Sequence, residues 1–354
     1  MRISRIVKIP LLVGSLCLNQ AISADQAVAI KNLTTSTTNN LYVSTIGSDS
    51  NSGTQFSPFL TIDAASRAAG PNTKIHVAAG IYKGNIVTEA SGSATEHIIY
   101  VSDERQKAKI VGSGSEIAWI NHGDYVEVDG FDISTSGRIG FYSTGSYGSI
   151  HHCLIHDILL GGGSTGDGGA AIDFIGNNWN VSYNIIRNID AARHSGNATV
   201  HGIYIAGANA FVYGNRISGV AAYGIHQWHG ATASIILNNT IFNSFGGILI
   251  GSGDRGALPD GSRYNFVINN IAADNLGYGI REYGITSQNT YIDNLVFNNQ
   301  INIAIDHPGD VATGTIVADP MFKKYLPNGT GDYHLKNGSP AKGRGYLANS
   351  HTDQ

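Results

Sequence analysis

A tyrosine, a histidine and an arginine stand at the same place in successive copies of one short motif. The copies are Gly202-Ile-Tyr-Ile, Gly224-Ile-His-Gln, Gly247-Ile-Leu-Ile and Gly279-Ile-Arg-Glu, with Ala171-Ile-Asp-Phe before them and Asn302-Ile-Ala-Ile after. The residue that follows the isoleucine is, in turn, Asp173, Tyr204, His226, Leu249, Arg281 and Ala304. A histidine titrates near neutral pH and serves as base or acid. A tyrosine hydroxyl donates or accepts a proton, and a guanidinium grips a carboxylate as a two-pronged fork. β-Elimination from a uronic acid residue needs these functions: the carboxylate is neutralised, the C5 proton is removed, and the C4 oxygen is protonated as it leaves. Tyr204, His226 and Arg281 are therefore the candidate catalytic set. His226 serves as base and Tyr204 as acid, or the two are exchanged; Arg281 is a third candidate for the base.

The neighbouring residues suit an anionic sugar polymer. Trp228, Tyr204 and Tyr283 offer flat faces to sugar rings. His201, His229 and Asp173 offer hydrogen bonds, and Arg193 and Arg255 offer further positive charge. Tyr223 and Tyr278 occupy the place of His201 in later copies, and Leu249 is expected to form a floor under the sugar between His226 and Arg281. Because about 10 Å would separate the Cα atoms of His226 and Arg281, only a bound sugar is expected to bridge them. No cofactor is required by this chemistry. Ca²⁺ is the ion that Asp173, Asp254 and Asp260 would take, although their spacing lacks the regularity of a dedicated calcium loop. Histidines 201, 226 and 229 lack the short spacing of a zinc site.

Three other readings use the same face. A glycoside hydrolase of the inverting type would pair Asp173 with Asp254 or Asp306. A uronan epimerase would abstract the proton without cleaving the chain. A non-catalytic glycan-binding protein would need the aromatic residues but not His226.

These residues converge only if each motif is one rung of a stack. The isoleucines fall at 172, 203, 225, 248, 280 and 303, with spacings of 31, 22, 23, 32 and 23. Asparagines at 184, 215, 239, 270 and 294 form a second column spaced by 31, 24, 31 and 24, and Cys153 fills the place before Asn184. Two columns with one period mark one coil per period. Each coil carries short alternating apolar runs broken by Gly or Asn, too short for amphipathic helices. The expected fold is all-β: a single-stranded right-handed parallel β-helix running from about Ile75 to Ile316, with a short N-terminal capping helix within Phe59–Ala69. Isoleucines point in and the next residue points out. Rungs lie about 4.8 Å apart, and the asparagines form a ladder. The two long coils place extra loops near 191–199 and 252–262, as walls of a groove. They carry Arg193, His194, Asp254, Arg255 and Arg263.

The N-terminus reads as an export signal: Arg2, Arg5 and Lys8, an apolar run from Ile9 to Leu18, then small residues to Ala24. The run is too short to span a bilayer. The expected organisation is a signal peptide at 1–24, a loose lead at 25–40, a β-helix catalytic domain at 41–346 and a tail at 347–354. The destination is extracellular or periplasmic. Only 14% of residues are charged and 42% are hydrophobic, which argues against disorder. The formal charge of −4 becomes −7 once the three cations of the signal are removed. That balance excludes nucleic acid and anionic membrane as partners, and leaves an anionic polysaccharide to be held by local positive charge. A monomer is expected. Without Cys17, Cys153 stands alone, so no internal disulfide forms and packing must stabilise the fold.

The two ends carry a resemblance. Tyr42-Val-Ser, Gly47-Ser-Asp and Ala79-Gly-Ile-Tyr at the start, with Asp319-Pro-Met-Phe, Asp332-Tyr-His-Leu and Ser339-Pro-Ala at the close, resemble secreted pectate-lyase-like right-handed parallel β-helix proteins. The likeness covers nearly all of the chain after the signal. It implies the fold, and an activity among polysaccharide lyases, uronan epimerases and glycoside hydrolases. Many β-helix lyases use a Lys or Arg base with Ca²⁺ held by acids. This outward column has no Lys and its acids are scattered, which puts that mechanism in doubt here.

Overall fold

The computed structural model describes residues 39–345, apart from 115–116, 161–167, 194–198, 254–260, 306, 308 and the side chain of Arg193. The signal segment 1–24, most of the lead and the tail 347–354 lie outside the described residues. The first strand, Asn39–Val43, takes in the last two residues assigned to the lead.

Each coil visits three parallel sheets in turn, of 11, 10 and 9 strands. One coil contributes Phe211–Tyr213 to the first sheet, Arg216–Val220 to the second and Tyr223–Gln227 to the third. Parallel strands stack without hairpins because every strand returns after a full coil. In the third sheet Ile172, Ile203, Ile225, Ile248, Ile280 and Ile303 pair in sequence, as the spacing predicts.

The asparagine column is a ladder at the corner between the first and second sheets. Asn184 donates from its side chain to Asn215 Oδ1 at 3.1 Å. Asn215 donates to Asn239, Asn239 to Asn270, and Asn270 to Asn294, each at 3.0 Å. Each Oδ1 also accepts the backbone N–H of the preceding asparagine, and the Cys153 N–H donates to Asn184 in the same way. The buried amides are thus satisfied from rung to rung. Cys153 is fully buried, as expected for a stack position. Two further ladders were not anticipated: Ser234–Asn265–Asn289 and Ser244–Asn275–Asn299.

The motif glycines decide which side chains reach the outer face. A Cβ on Gly202 would sit 2.9 Å from Ile217 Cγ2, one on Gly224 2.4 Å from Ile241 Cγ2, and one on Gly247 2.9 Å from Ala272 Cβ. Those neighbours are buried core residues of the second sheet. Gly and the Ile after it therefore both face inward, which breaks strict alternation. The residues on either side, such as His201 and Tyr204, both turn outward. Gly224→Ala is expected to force Ile241 from its place and cost roughly 1–3 kcal/mol, as overpacking does. A lowered melting temperature would register it.

The capping helix spans Ile62–Ala68, and the Thr61 side chain accepts the Ala64 N–H at its start. It covers the edge strand Ile86–Thr88 of the third sheet, where Asp63 accepts the Val87 N–H at 2.9 Å and Ser66 accepts the Glu89 N–H. An otherwise open strand edge is thereby blocked. At the other end, the antiparallel pair Phe322–Lys324 and Asp332–Leu335 doubles back, and Phe322 and Tyr333 pack on Phe242, Ile271 and Leu295. Among the described residues, no helix is long and apolar enough to cross a membrane.

Candidate active site

The third sheet aligns the predicted column on its outer face. Tyr142 pairs with Asp173, Asp173 with Tyr204, Tyr204 with His226, His226 with Leu249, Leu249 with Arg281 and Arg281 with Ala304. The strands Gly246–Ser252 and Tyr278–Gly284, at seven residues each, extend this face.

Tyr204 and His229 form the first contact. The Tyr204 hydroxyl lies 2.9 Å from His229 Nε2. His229 sits at a corner with φ of +55°, and its carbonyl accepts a hydrogen bond from Ser252 at 3.0 Å. The bond lets a proton pass between the phenol and the imidazole. The alignment of Tyr204 with His226 was legible in the motif; the Tyr204–His229 pair was not, because His229 lies beyond the repeated tetrapeptide.

His226 and His201 form the second. His226 Nδ1 is 2.9 Å from His201 Nε2, and their rings are 4.1 Å apart. Burial lowers the pKa of His201 to about 3. It pushes that of His226 far below the ordinary range, helped by the neighbouring histidines. Both rings are neutral at physiological pH. His226 Nε2 is buried without a hydrogen-bond partner. A base held so far below its usual pKa is a weak acceptor of a carbon-bound proton, which bears against His226 in that role.

Arg281 is held by tyrosines. Its guanidinium lies over Tyr278 at 4.3 Å and Tyr283 at 4.5 Å, and Nη1 donates to Tyr223 Oη at 3.4 Å. Tyr223 is 5.8 Å from His226, ring to ring. The expectation that only a sugar bridges His226 and Arg281 is therefore corrected: Arg281 leans back, and Tyr223 closes the gap. The floor role of Leu249 is corrected too. Leu249 is 4% exposed and packs with Tyr223 and Trp228. Those rings lie flat because the next rung has no side chain beneath them. A Cβ on Gly246 would strike Tyr223 at 2.3 Å, and one on Gly251 would strike Trp228 at 2.3 Å. Trp228 stacks near Tyr283 at 6.0 Å and 16°, and Tyr283 is 52% exposed. This aromatic pair, rather than Leu249, forms the outer surface there.

Asp173 lies one rung from Tyr204, with Oδ1 buried and unbonded. Burial raises its pKa to about 7, against the opposing pull of Arg138. It is the one carboxyl in the outward column. Arg255, Asp254, Asp260, Asp306 and His194 lie outside the described residues, as does the Arg193 side chain, so the calcium set and the carboxylate pairs built on them are not formed by described residues. Arg263 lies on a short strand, Ser262–Arg263, paired with Thr286–Ser287. The groups that bring three metal-ligating atoms together, among the described residues, are Asp129–His151–His152 and Glu282–His307–Asp310; His201, His226 and His229 are not such a group.

Comparison with known proteins agrees with the parallel β-helix fold. No family model matches. The chain is 28% identical over 168 residues to pectate lyase L of Dickeya chrysanthemi, across 43% of this chain and 37% of that relative. Among solved structures it is similar to pectate lyase Pel9A, with a TM-score of 0.57 and 15% identity over 92% of this chain and 95% of that one. It is also similar to a rhamnogalacturonan lyase, with a TM-score of 0.60 and 14% identity over 85% and 96%. The chain shares the parallel β-helix fold of these proteins, and it spans little more than a third of the length of the curated relative that it matches.

Proposed function

We propose that the protein is a secreted polysaccharide lyase that cleaves a uronic-acid-containing polysaccharide, such as alginate, polyglucuronate or pectate, by β-elimination. The observation that carries this is the Tyr204–His229 hydrogen bond on the same face as the tyrosine-flanked Arg281. Relatives named as lyases support the reaction class.

In this reading a sugar lies on Trp228 and Tyr283 with its carboxylate against Arg281. The guanidinium offsets the charge that grows on the carboxylate as C5 is deprotonated. Tyr204 removes the C5 proton, and His229 takes up the phenolic proton. Asp173, part of which is protonated near neutral pH, donates to the C4 oxygen as the C4–O bond breaks and the C4–C5 double bond forms. The neutral His226–His201 pair holds the sugar as a hydrogen-bonding group, so the base role passes from His226 to Tyr204 and the acid role from Tyr204 to Asp173.

The product carries an unsaturated ring conjugated to its carboxylate. Incubation with a panel of polyuronates is expected to raise ultraviolet absorbance near 235 nm with one of them. New reducing ends without that rise would indicate hydrolysis, and altered uronate configuration without new ends would indicate epimerisation.

A further inference from the structure

A second cluster lies on the outer face of the first sheet, apart from the lyase face. Asp129 and His151 are partners on adjacent rungs, and His152 follows at the corner with φ of +54°. His151 Nδ1 and His152 Nδ1 are 2.9 Å apart, and each is 3.2 Å from Asp129 Oδ1. Three ligand atoms thus form a nearly equilateral triangle. Bonds of about 2.0–2.1 Å in a zinc tetrahedron imply edges of about 3.3 Å.

The two imidazole Nδ1 atoms and the carboxylate oxygen converge on one point. A proton satisfies one edge of the triangle; a tetrahedral divalent ion satisfies all three. His151 Nε2 is 3.0 Å from Glu127 Oε1. That carboxylate takes the Nε2–H and leaves Nδ1 as the ligating nitrogen, the outer support that metal-bound histidines generally have. His152 is fixed by stacking on Tyr183 at 5.6 Å and 6°, and Gln106 donates to its carbonyl at 3.1 Å. The side chains of Asp129, His151 and His152 are 29%, 13% and 33% exposed, so an ion has access and water can fill the fourth position.

We propose that Asp129, His151 and His152 bind one Zn²⁺ in tetrahedral geometry, with water as fourth ligand and Glu127 as the positioning carboxylate. The ion joins two neighbouring coils and acts as a staple for the stack rather than as part of polysaccharide cleavage. Binding to the folded chain alone would raise the melting temperature with free Zn²⁺.

The full chain, stripped with chelator, is titrated with Zn²⁺ against a fluorescent indicator and separately with Co²⁺. One ion per chain is expected, with the intense visible bands of tetrahedral Co²⁺ and a rise in melting temperature. Asp129→Asn and His152→Asn should each weaken binding at least tenfold, and Glu127→Gln by roughly 10-fold. Asparagine is chosen at 152 because it tolerates positive φ. Absence of a retained ion, or unchanged affinity in both ligand variants, would overturn the proposal. If the variants do not fold, a wild-type Co²⁺ spectrum without tetrahedral bands overturns it equally.

Discussion

Tyr204→Phe is expected to lower kcat by roughly 10²-fold or more, as loss of a proton-transferring group does, with little change in KM. The phenyl ring keeps its place between His201 and His226, whose rings lie 5.3 Å and 5.1 Å from it, so the surroundings of the sugar are preserved. Only the oxygen that bonds to His229 is lost. His229→Ala should reduce kcat through the same step, and the double variant should be little worse than Tyr204→Phe alone, because the two act as a unit. His226→Ala separates the alternatives. If His226 were the base, its loss would match that of Tyr204; in the reading favoured here, its loss acts more on KM. Circular dichroism of each purified variant controls for folding, since all three residues lie outside the core. A Tyr204→Phe enzyme with near-normal kcat would remove the tyrosine from proton transfer.

The repeat made most of the fold legible. Isoleucine and asparagine columns set the period, and the period sets which residues share a rung, so the order of Asp173, Tyr204, His226 and Arg281 follows from the sequence alone. What the pattern could not carry was reach and tilt. Arg281 bends back to Tyr223 across two rungs because its side chain is long and tyrosine faces stabilise a guanidinium. Leu249 looked exposed because its register is outward, yet the rings of Tyr223 and Trp228 cover it where Gly246 and Gly251 leave room. Glycine in the sequence marks such room but not what fills it. Buried polar contacts were equally hidden. Glu282 faces inward, where Tyr291 donates to it at 2.6 Å and Asn289 at 2.8 Å, and nothing in the motif distinguishes it from Gln227 two column positions earlier. The convergence of His151 and His152 on Asp129 depends on a left-handed corner that sequence alone does not reveal.

Arg281→Ala is expected to lower kcat/KM by roughly 10²–10³-fold, the scale seen when a donor to developing negative charge is removed. The argument rests on how the side chain is held. Tyr278 and Tyr283 face the guanidinium, and Tyr223 accepts from Nη1, so the group is already oriented when substrate arrives. Little ordering cost then remains to be met in the transition state. Arg281→Lys keeps the charge but neither the fork nor the flat surface, and should recover only part of the loss. A carboxyl-reduced polymer supplies the matching change on the substrate. Wild-type binding to it should fall toward that of Arg281→Ala, and the variant should bind native and reduced polymers alike. If Arg281→Ala still discriminated between them as strongly as wild type, the carboxylate would be read elsewhere on the face, and the arginine would remain only as packing for Tyr278 and Tyr283.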